Sequence, residues 1–202
     1  MTEKRDSPLI IGILALQGDY EAHRKMLEER LNVKTRLVRT KAEIDEVDGL
    51  IIPGGESTTM GKLMDRFGLD EKIRARVEGG MPIYGTCAGM IVLAKNIEGS
   101  DQNRLGLLDV TIARNAFGRQ VDSFEADIPI SVLNNDSVRG VFIRAPYVLE
   151  MGEGVEVLGN YEDRTVAVKQ GNVLAIAFHP ELTDDPRMHA LFVRMVQEFK
   201  SK

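Results

Sequence analysis

Short apolar runs alternate with amphipathic segments through the first half of the chain. Residues 9–16 form a continuous apolar run, which is typical of a strand buried on both faces of a parallel sheet. Further strands are predicted at residues 34–38 and 49–52. Helical patterns occupy residues 19–31, 41–46, 58–67 and 70–78. This alternation predicts an α/β fold, with a doubly wound and mostly parallel sheet flanked by helices.

Two glycine-rich turns follow predicted strands of this sheet. Pro-Gly-Gly at residues 53–55 follows the third strand. The strand at residues 81–84 leads into Gly-Thr-Cys-Ala-Gly at residues 85–89, and a helix is predicted from Ala88 to Lys95. Ligands of such sheets bind beyond the carboxyl ends of the strands. Both turns are therefore candidates for a functional site.

The second half of the chain changes character, because short strand patterns follow one another with turns between them. The predicted strands are residues 109–113, 124–132, 140–143, 155–161, 165–170 and 173–178. We expect antiparallel strands annexed to the parallel core, with residues 173–178 returning to the central sheet. An amphipathic helix at residues 186–200 follows them.

Composition is that of an ordinary globular protein. The chain has 202 residues, of which 43% are hydrophobic and 28% charged, and this length suits a single domain with a sizeable core. Residues 1–7 are polar and are expected to form a flexible lead without the apolar core of a signal peptide. No apolar run reaches membrane-spanning length, so we expect no membrane partner.

Charge and cysteine content narrow the function classes. A net charge of -5 argues against a nucleic-acid partner, which needs a basic face. One cysteine excludes an internal disulfide and indicates a reducing compartment, so we expect a cytoplasmic protein. One cysteine and three scattered histidines do not suggest a metal cluster.

Cys87 lies between a predicted strand and a predicted helix, where a sharp turn exposes a nucleophilic side chain. Lone cysteines are more often small buried apolar residues. The flanking glycines favour the nucleophile, because Gly85 lets the backbone bend and Gly89 lets the helix pack close to the sheet. We therefore predict that Cys87 is a nucleophile.

A cysteine nucleophile needs a base and a group that orients the base. His23 and His189 lie inside amphipathic helices, where surface or packing roles are expected. His179 instead follows the apolar run 173–178 at the carboxyl end of a strand. Glu181 comes two residues later, across a proline that stiffens the backbone. Although a solvated loop pair is possible for His-Pro-Glu alone, the setting of Cys87 favours a base and its orienting acid.

Acyl transfer through Cys87 would create an oxyanion, which needs backbone N–H donors. The amide of Ala88, directly after the nucleophile, is one candidate. The turn at residues 53–55 offers a second in Gly55, whose missing side chain permits close approach. Without the other motifs, an ordinary glycine turn and a functional site would be equally good interpretations of this turn.

Four stretches of the sequence resemble the glutaminase subunits of pyridoxal 5'-phosphate synthase, within the class I glutamine amidotransferases. They are Leu-Ala-Leu-Gln-Gly-Asp at 14–19, Pro-Gly-Gly-Glu-Ser-Thr-Thr at 53–59, Arg-Asn-Ala-Phe-Gly-Arg-Gln at 114–120 and Phe-His-Pro-Glu-Leu at 178–182. The second and third separate this family from other amidotransferase domains. The resemblance runs from about Leu9 to the C-terminus.

The resemblance implies that L-glutamine is hydrolysed to glutamate and ammonia by a triad of Cys87, His179 and Glu181. It implies a glutamine pocket lined by Gly55, Glu56, Ser57, Arg114, Ile143 and Arg144. It also implies a partner, a synthase subunit in a large hetero-oligomer, which uses the ammonia to build pyridoxal 5'-phosphate from ribose 5-phosphate and glyceraldehyde 3-phosphate. The chain itself would need no cofactor and would be nearly silent until it docks.

Two other functions stay open at this stage. A stand-alone cysteine hydrolase, such as a peptidase or a deglycase, uses a similar sheet but usually lacks the motif at residues 114–120. A non-catalytic binding module would be favoured if any of Cys87, His179 and Glu181 were replaced, and all three are present.

Overall fold

The computed structural model describes residues 8–114 and 123–202. The strands of the first half are β1 (Ile10–Leu14), β2 (Lys34–Val38), β3 (Gly49–Ile52), β4 (Ile83–Thr86) and β5 (Ala94–Ile97). Those of the second half are β6 (Leu108–Ala113), β7 (Ser123–Pro129), β8 (Ser137–Ile143), β9 (Tyr147–Met151), β10 (Glu156–Tyr161), β11 (Arg164–Gln170) and β12 (Val173–Ile176).

The helices lie mostly between the strands of the first half. They are α1 (Tyr20–Lys25), α2 (Lys41–Asp45), α3 (Ser57–Arg66), α4 (Leu69–Glu78), α5 (Ala88–Leu93) and α6 (Arg187–Lys200). A π-helical turn (Met26–Arg30) extends α1, and two 3-10 turns (Ser131–Leu133 and Pro180–Leu182) lie in the second half. Asp19 caps α1 by accepting a hydrogen bond from the backbone N–H of Ala22.

One large sheet organises the described residues, with the strand order β2-β1-β3-β4-β12-β11-β9-β6-β5, and β10 pairs with β11. The strands from β2 to β12 in this order are parallel, whereas β11 and β9 bring antiparallel pairing. Strands β7 and β8 form a separate antiparallel pair. The predicted fold class is therefore confirmed, as is the return of the chain to the central sheet through β12.

The sheet register brings three loops to one edge. Ile52, the last residue of β3, pairs with Gly85 of β4, and Thr86 of β4 pairs with Ile176, the last residue of β12. Parallel strands in this register end at the same level. The segments that follow them carry Gly54, Cys87 and His179, so these residues meet beyond the carboxyl ends of β3, β4 and β12.

The central strands β3, β4 and β12 have no polar face. All residues of β3, β4 and β12 are buried, because helices cover both faces of the sheet. Helix α6 contributes Met188, Phe192 and Val196 to this core, and Gly49 leaves room for the side chains of the last two. Among the described residues, no helix is long and apolar enough to cross a bilayer.

The predicted elements need correction in several places. The helix expected to reach Lys95 ends at Leu93, and the next residues form β5, which pairs with β6. Every residue of α5 is buried, so no polar face marks its end. Strand β9 was not predicted, although it begins with three consecutive apolar residues, Tyr147, Val148 and Leu149. The strand predicted at 124–132 ends at Pro129, which cannot donate to a sheet ladder.

Two predictions lie outside the described residues. The flexible lead at residues 1–7 is one of them. The other is most of the motif at residues 114–120, of which the structure describes Arg114.

Close packing of α5 on β3 can be tested at Gly89. A Cβ atom at this position would lie 2.1 Å from the backbone oxygen of Ile52, so α5 would have to move away from the sheet. We expect Gly89→Ala to lower the free energy of unfolding by about 1–3 kcal/mol, measured by denaturant titration. Gly79→Ala is a matched control, because its nearest contact would be 3.3 Å away. Equal midpoints for the two variants would contradict the tight packing of α5.

Candidate active site

Cys87 occupies a strained turn between β4 and α5. Its backbone has φ 50° and ψ -106°, a conformation that residues with a side chain rarely adopt. Neighbouring elements hold this turn in place, since its N–H donates to the carbonyl of Ile176 at 2.9 Å and its carbonyl accepts from Ile91 at 3.2 Å. Strain at a nucleophile that joins a strand to a helix is a device that presents the side chain to a ligand. The sulfur also contacts the carbonyl oxygen of Ile143, at 3.8 Å.

His179 and Glu181 form a hydrogen-bonded pair beside this turn. The ring Nδ1 of His179 lies 2.7 Å from Oε1 of Glu181. The backbone N–H of His179 donates to the carbonyl of Val141 at 2.8 Å, which ties the segment to β8. Glu181 belongs to the short 3-10 turn that Pro180 begins, and its side chain is fully buried. The proline and the turn together direct the carboxylate back towards the ring of His179.

The electrostatics of the pair favour charge on both members. Burial alone would lower the pKa of His179, but hydrogen bonds to Cys87 and Glu181 and the negative charge of each outweigh it and raise that pKa well above its ordinary value. Burial likewise opposes ionisation of Glu181, but the attraction of His23 and His179 lowers the pKa of its carboxyl. A protonated ring next to Cys87 stabilises the thiolate, which is the nucleophilic form of cysteine.

The glycine turn after β3 packs directly against the His179 ring. A Cβ atom on Gly54 would lie 2.3 Å from Cε1 of that ring. Gly55 has φ 152°, and a Cβ atom there would lie 2.3 Å from Oε1 of Gln17. The same Gln17 oxygen accepts a hydrogen bond from the N–H of Glu56 at 2.9 Å. The loop after β1 therefore holds the turn in position, and both glycines are required by close approach.

A cleft of about 440 Å³ opens over Cys87. Its lining contains the predicted site residues Gly55, Glu56, Ser57, Cys87, Ala88, Arg114, Ile143, Arg144 and His179. It also contains Gln17, Asp19, Gly54, Ile91 and Leu182, which the predicted set of site residues did not include. This volume is within the range typical of small-molecule sites. Glu181 lies behind the cleft, on the far side of the His179 ring.

Glu56 serves first as a helix cap. Its carboxylate accepts hydrogen bonds from the backbone N–H groups of Thr58 and Thr59, at 3.0 Å and 2.7 Å, at the start of α3. The hydroxyl of Thr59 donates to it as well, at 2.6 Å. This bond from Thr59, working against burial, helps to lower the pKa of Glu56 to about 2. The cleft therefore carries a fixed negative charge at its rim at neutral pH.

Gln102 links two residues that line the cleft, Ser57 and Arg114. Its side-chain N–H donates to the hydroxyl oxygen of Ser57 at 3.0 Å, and its Oε1 accepts from the Arg114 guanidinium at 2.8 Å. Arg114 is thereby held towards the start of α3. Arg144 also lines the cleft and has φ 44°, another backbone conformation unusual for a residue with a side chain. The cleft thus offers two guanidinium groups to an anionic ligand.

Sequence reasoning missed two residues behind the catalytic candidates. His23 and His189, predicted as surface or packing residues, are both fully buried and in contact with each other. His23 also reaches Glu181, with 3.5 Å between Nε2 and Oε1. Their positions on the apolar faces of their helices were the available signal. Gln102 was also missed, and nothing in its local sequence distinguishes it.

No group of three or more His, Cys, Asp or Glu side chains within residues 8–114 and 123–202 is arranged to hold a metal ion. The chemistry available in the described part of the chain is that of a thiolate, an imidazole, a carboxylate and backbone N–H groups. This set suits attack on a carbonyl carbon, followed by proton transfer to the leaving group.

Comparison with known proteins agrees with the geometry. A model of the SNO glutamine amidotransferase family matches residues 13–198. The chain is 52% identical over 186 residues to "Pyridoxal 5'-phosphate synthase subunit PdxT" of Carboxydothermus hydrogenoformans. This match covers 92% of this chain and 97% of the relative. It is 53% identical over 186 residues to the protein of the same name from Moorella thermoacetica, covering 92% and 98%.

A solved structure gives the same result in three dimensions. The chain is similar to a protein described as "Crystal structure of glutamine amidotransferase", with a TM-score of 0.89 and 50% identity. The match covers 93% of this chain and 98% of the other. The resemblance stated from the sequence is therefore confirmed at the level of the family.

The coupling between Cys87 and His179 can be tested by alkylation. Replacement of His179 by Asn removes the cation beside the sulfur, so we expect iodoacetamide to react at least ~10-fold more slowly at neutral pH. Because Cys87 is the single cysteine, one mass increment in the intact protein reports the reaction. The same measurement in urea is the control and should give equal rates for both proteins. Equal rates in the folded state would show that His179 does not affect the reactivity of the Cys87 sulfur.

Proposed function

We propose that this chain, which belongs to the SNO glutamine amidotransferase family, is a single glutaminase domain. It hydrolyses L-glutamine to glutamate and ammonia. We further propose that the ammonia passes to a synthase subunit for the synthesis of pyridoxal 5'-phosphate. The relatives named as pyridoxal 5'-phosphate synthase subunits support this second step, since they match nearly the whole chain at about half identity.

The observation that carries the proposal is the line of contacts from Cys87 through His179 to Glu181 at the floor of the cleft. The influence of Cys87, which raises the pKa of His179, and the 2.7 Å contact between His179 and Glu181 are those expected of a nucleophile, a base and an orienting acid. The cleft above them has room for a small molecule and presents two arginines.

In the first half of the reaction, the Cys87 thiolate attacks the side-chain amide carbon of glutamine. The amide oxygen becomes an oxyanion, which the backbone N–H groups of Ala88 and Gly55 stabilise. The protonated His179 gives its proton to the amide nitrogen as the C–N bond breaks. Ammonia leaves, and a thioester joins Cys87 to the glutamyl group.

In the second half, a water molecule attacks the thioester carbon while His179 takes one of its protons. The C–S bond breaks, the product acid leaves and loses its remaining proton to solvent as glutamate, and the thiolate and imidazolium are restored. Glu181 keeps Nδ1 of His179 protonated and turned away from the substrate. The other ring nitrogen, Nε2, is therefore the one that exchanges the proton with the reacting atoms.

The walls of the cleft suit the two charged ends of an amino acid. Arg114 and Arg144 would hold the α-carboxylate, for which a guanidinium fork is well shaped. The carboxylate of Glu56, ionised at neutral pH, provides negative charge for the α-ammonium group. Ser57 and Ile143 complete the pocket around the aliphatic part of the substrate. Among the described residues, this cleft is where a carboxylate, two arginines and the thiolate meet.

Docking of the synthase would control the activity through the glycine turn after β3. Gly55 has a positive φ, and glycine peptides change orientation at low energetic cost. In one orientation the turn directs an N–H group at the oxyanion, and in the other it directs that group away. Loss of one oxyanion donor typically costs ~10²–10³ in rate. A synthase that contacts the loop at residues 17–19 would select the productive orientation, since Gln17 touches this turn.

Steady-state glutaminase kinetics test the proposed function. We expect the chain alone to release ammonia slowly from saturating L-glutamine, and excess synthase to raise the rate by at least ~10-fold, since docking completes the oxyanion hole. Cys87→Ala is the matched control, because it removes one sulfur, should remain folded and should release no ammonia. Ammonia release by this variant would exclude Cys87 as the nucleophile. Equal rates with and without synthase would instead describe a free-standing glutaminase.

A further inference from the structure

A second histidine lies behind Glu181. Nε2 of His23 is 3.5 Å from Oε1 of Glu181 and 3.1 Å from the hydroxyl oxygen of Thr86. Thr86 immediately precedes the nucleophile, Cys87. The ring of His23 therefore contacts both the carboxylate that orients His179 and the residue that leads into the strained turn.

A third histidine supports the second. Nδ1 of His23 lies 2.9 Å from Nε2 of His189, which is carried by α6. Both rings are fully buried, and His189 also packs edge-on against Tyr84 of β4, with 5.8 Å between ring centroids. Helices α1 and α6 thus each send one imidazole towards Glu181, and the two rings and the carboxylate form a continuous buried row.

Burial favours the neutral form of both imidazoles. Burial lowers the pKa of His23, although the negative charge of Glu181 works in the opposite direction. Burial, together with the neighbouring His23, lowers the pKa of His189 to about 3. A neutral imidazole carries one proton, so each ring donates from one nitrogen and accepts at the other.

This restriction favours one direction for the hydrogen bonds in the row. Nε2 of His23 faces the Glu181 carboxylate at 3.5 Å and the Thr86 hydroxyl at 3.1 Å. A carboxylate can only accept, so a neutral His23 is better placed with its proton on Nε2. Nδ1 of His23 then accepts, and Nε2 of His189 donates to it. The proton-free nitrogen of His189 is Nδ1, which has no partner among the described residues. A bare nitrogen is less costly to bury without a partner than an N–H group.

We propose that His23 is a positioning residue for the reaction. His189 holds His23 in the tautomer that donates to Glu181. This inference rests on the proposed function, because it concerns the orienting acid of the same triad. Held between the rings of His179 and His23, the carboxylate keeps its charge and its angle although it is removed from water. The triad therefore continues into the core as a row of five groups: Cys87, His179, Glu181, His23 and His189.

The proposal predicts an effect on turnover rather than on substrate binding. Neither His23 nor His189 lines the cleft, so the Michaelis constant for glutamine should change little. Loss of an orienting carboxylate can cost about 10⁴-fold in related triads, and loss of its support should cost a fraction of that. We expect His23→Leu, assayed in the complex with synthase, to lower kcat by about tenfold or more.

His23→Gln tests whether the donated hydrogen bond is what matters. The glutamine amide can donate to Glu181 and accept from His189, so this variant should retain kcat within about threefold of the unmodified complex. Leu27→Ala is the control for destabilised packing, since Leu27 is buried four residues further along the same helical run and makes no polar contact with Glu181. It should lower the melting temperature and leave kcat within about twofold. If His23→Leu behaves like Leu27→Ala, the positioning role is wrong.

Imidazole ¹⁵N chemical shifts test the tautomers without any assay of activity. The chain has three histidines, so three ring systems appear in the spectrum of the ¹⁵N-histidine-labelled protein. We expect His23 and His189 to be neutral with the proton on Nε2, and His189→Leu to disturb the shifts of His23. A charged His23, or one with its proton on Nδ1, would overturn the proposal.

The two kinds of failure are distinguishable. If the unmodified complex releases no ammonia from glutamine, the proposed function fails, whatever the variants do. If the complex is active and His23→Leu matches it in kcat, the proposed function stands and the role of His23 fails. Variants that do not fold leave the ¹⁵N spectrum of the unmodified chain as the deciding measurement.

Discussion

The site depends on one constraint, which is the parallel pairing of β12 with β4 and of β4 with β3. The three strands meet in register, so the segments that leave their carboxyl ends start at one level. Cys87 follows β4, His179 follows β12, and the glycine turn follows β3. Hydrogen bonds of the sheet therefore set the separations of groups that lie far apart in sequence. A slip of one residue in β12 would reverse its side chains between the two faces of the sheet and carry His179 away from the sulfur.

Burial of a charged carboxylate is the second constraint, and it shapes the core as well as the site. Glu181 is removed from water, and an unpaired buried charge would be strongly destabilising. The ring of His179, hydrogen-bonded to Oε1 of Glu181 at 2.7 Å, and the ring of His23, 3.5 Å from the same oxygen, provide this compensation. The same contacts give the orienting acid a fixed direction. Stability and positioning thus have one physical origin here, which is why polar groups occupy the interior between α1, α6 and β4.

Much of the fold could be predicted from local pattern. Strand β3 was predicted with its observed bounds, and the nucleophile turn was identified because glycines, a cysteine and a strand end occur together within a few residues. Prediction failed where pairing overrides pattern. Strand β5 begins directly after a fully buried helix, so no change of polarity marks the boundary. Strand β9 exposes the apolar side chains of Leu149 and Met151, so its pattern does not separate a buried face from an exposed one. Gln102 has no local signal, because its role is created by contacts with Ser57 and Arg114.

Local sequence pattern was enough to predict most of the strands and helices, the family resemblance and the candidates Cys87, His179 and Glu181, because each of these depends on residues close together along the chain. The tertiary structure decided which groups stand behind those candidates. His23 and His189 are separated by 166 positions and looked like ordinary packing residues. Their contact with each other behind Glu181 depends on how α1 and α6 pack on the sheet. Periodicity shows which face of a helix is apolar, but the burial of that face against a particular partner depends on contacts across the whole fold.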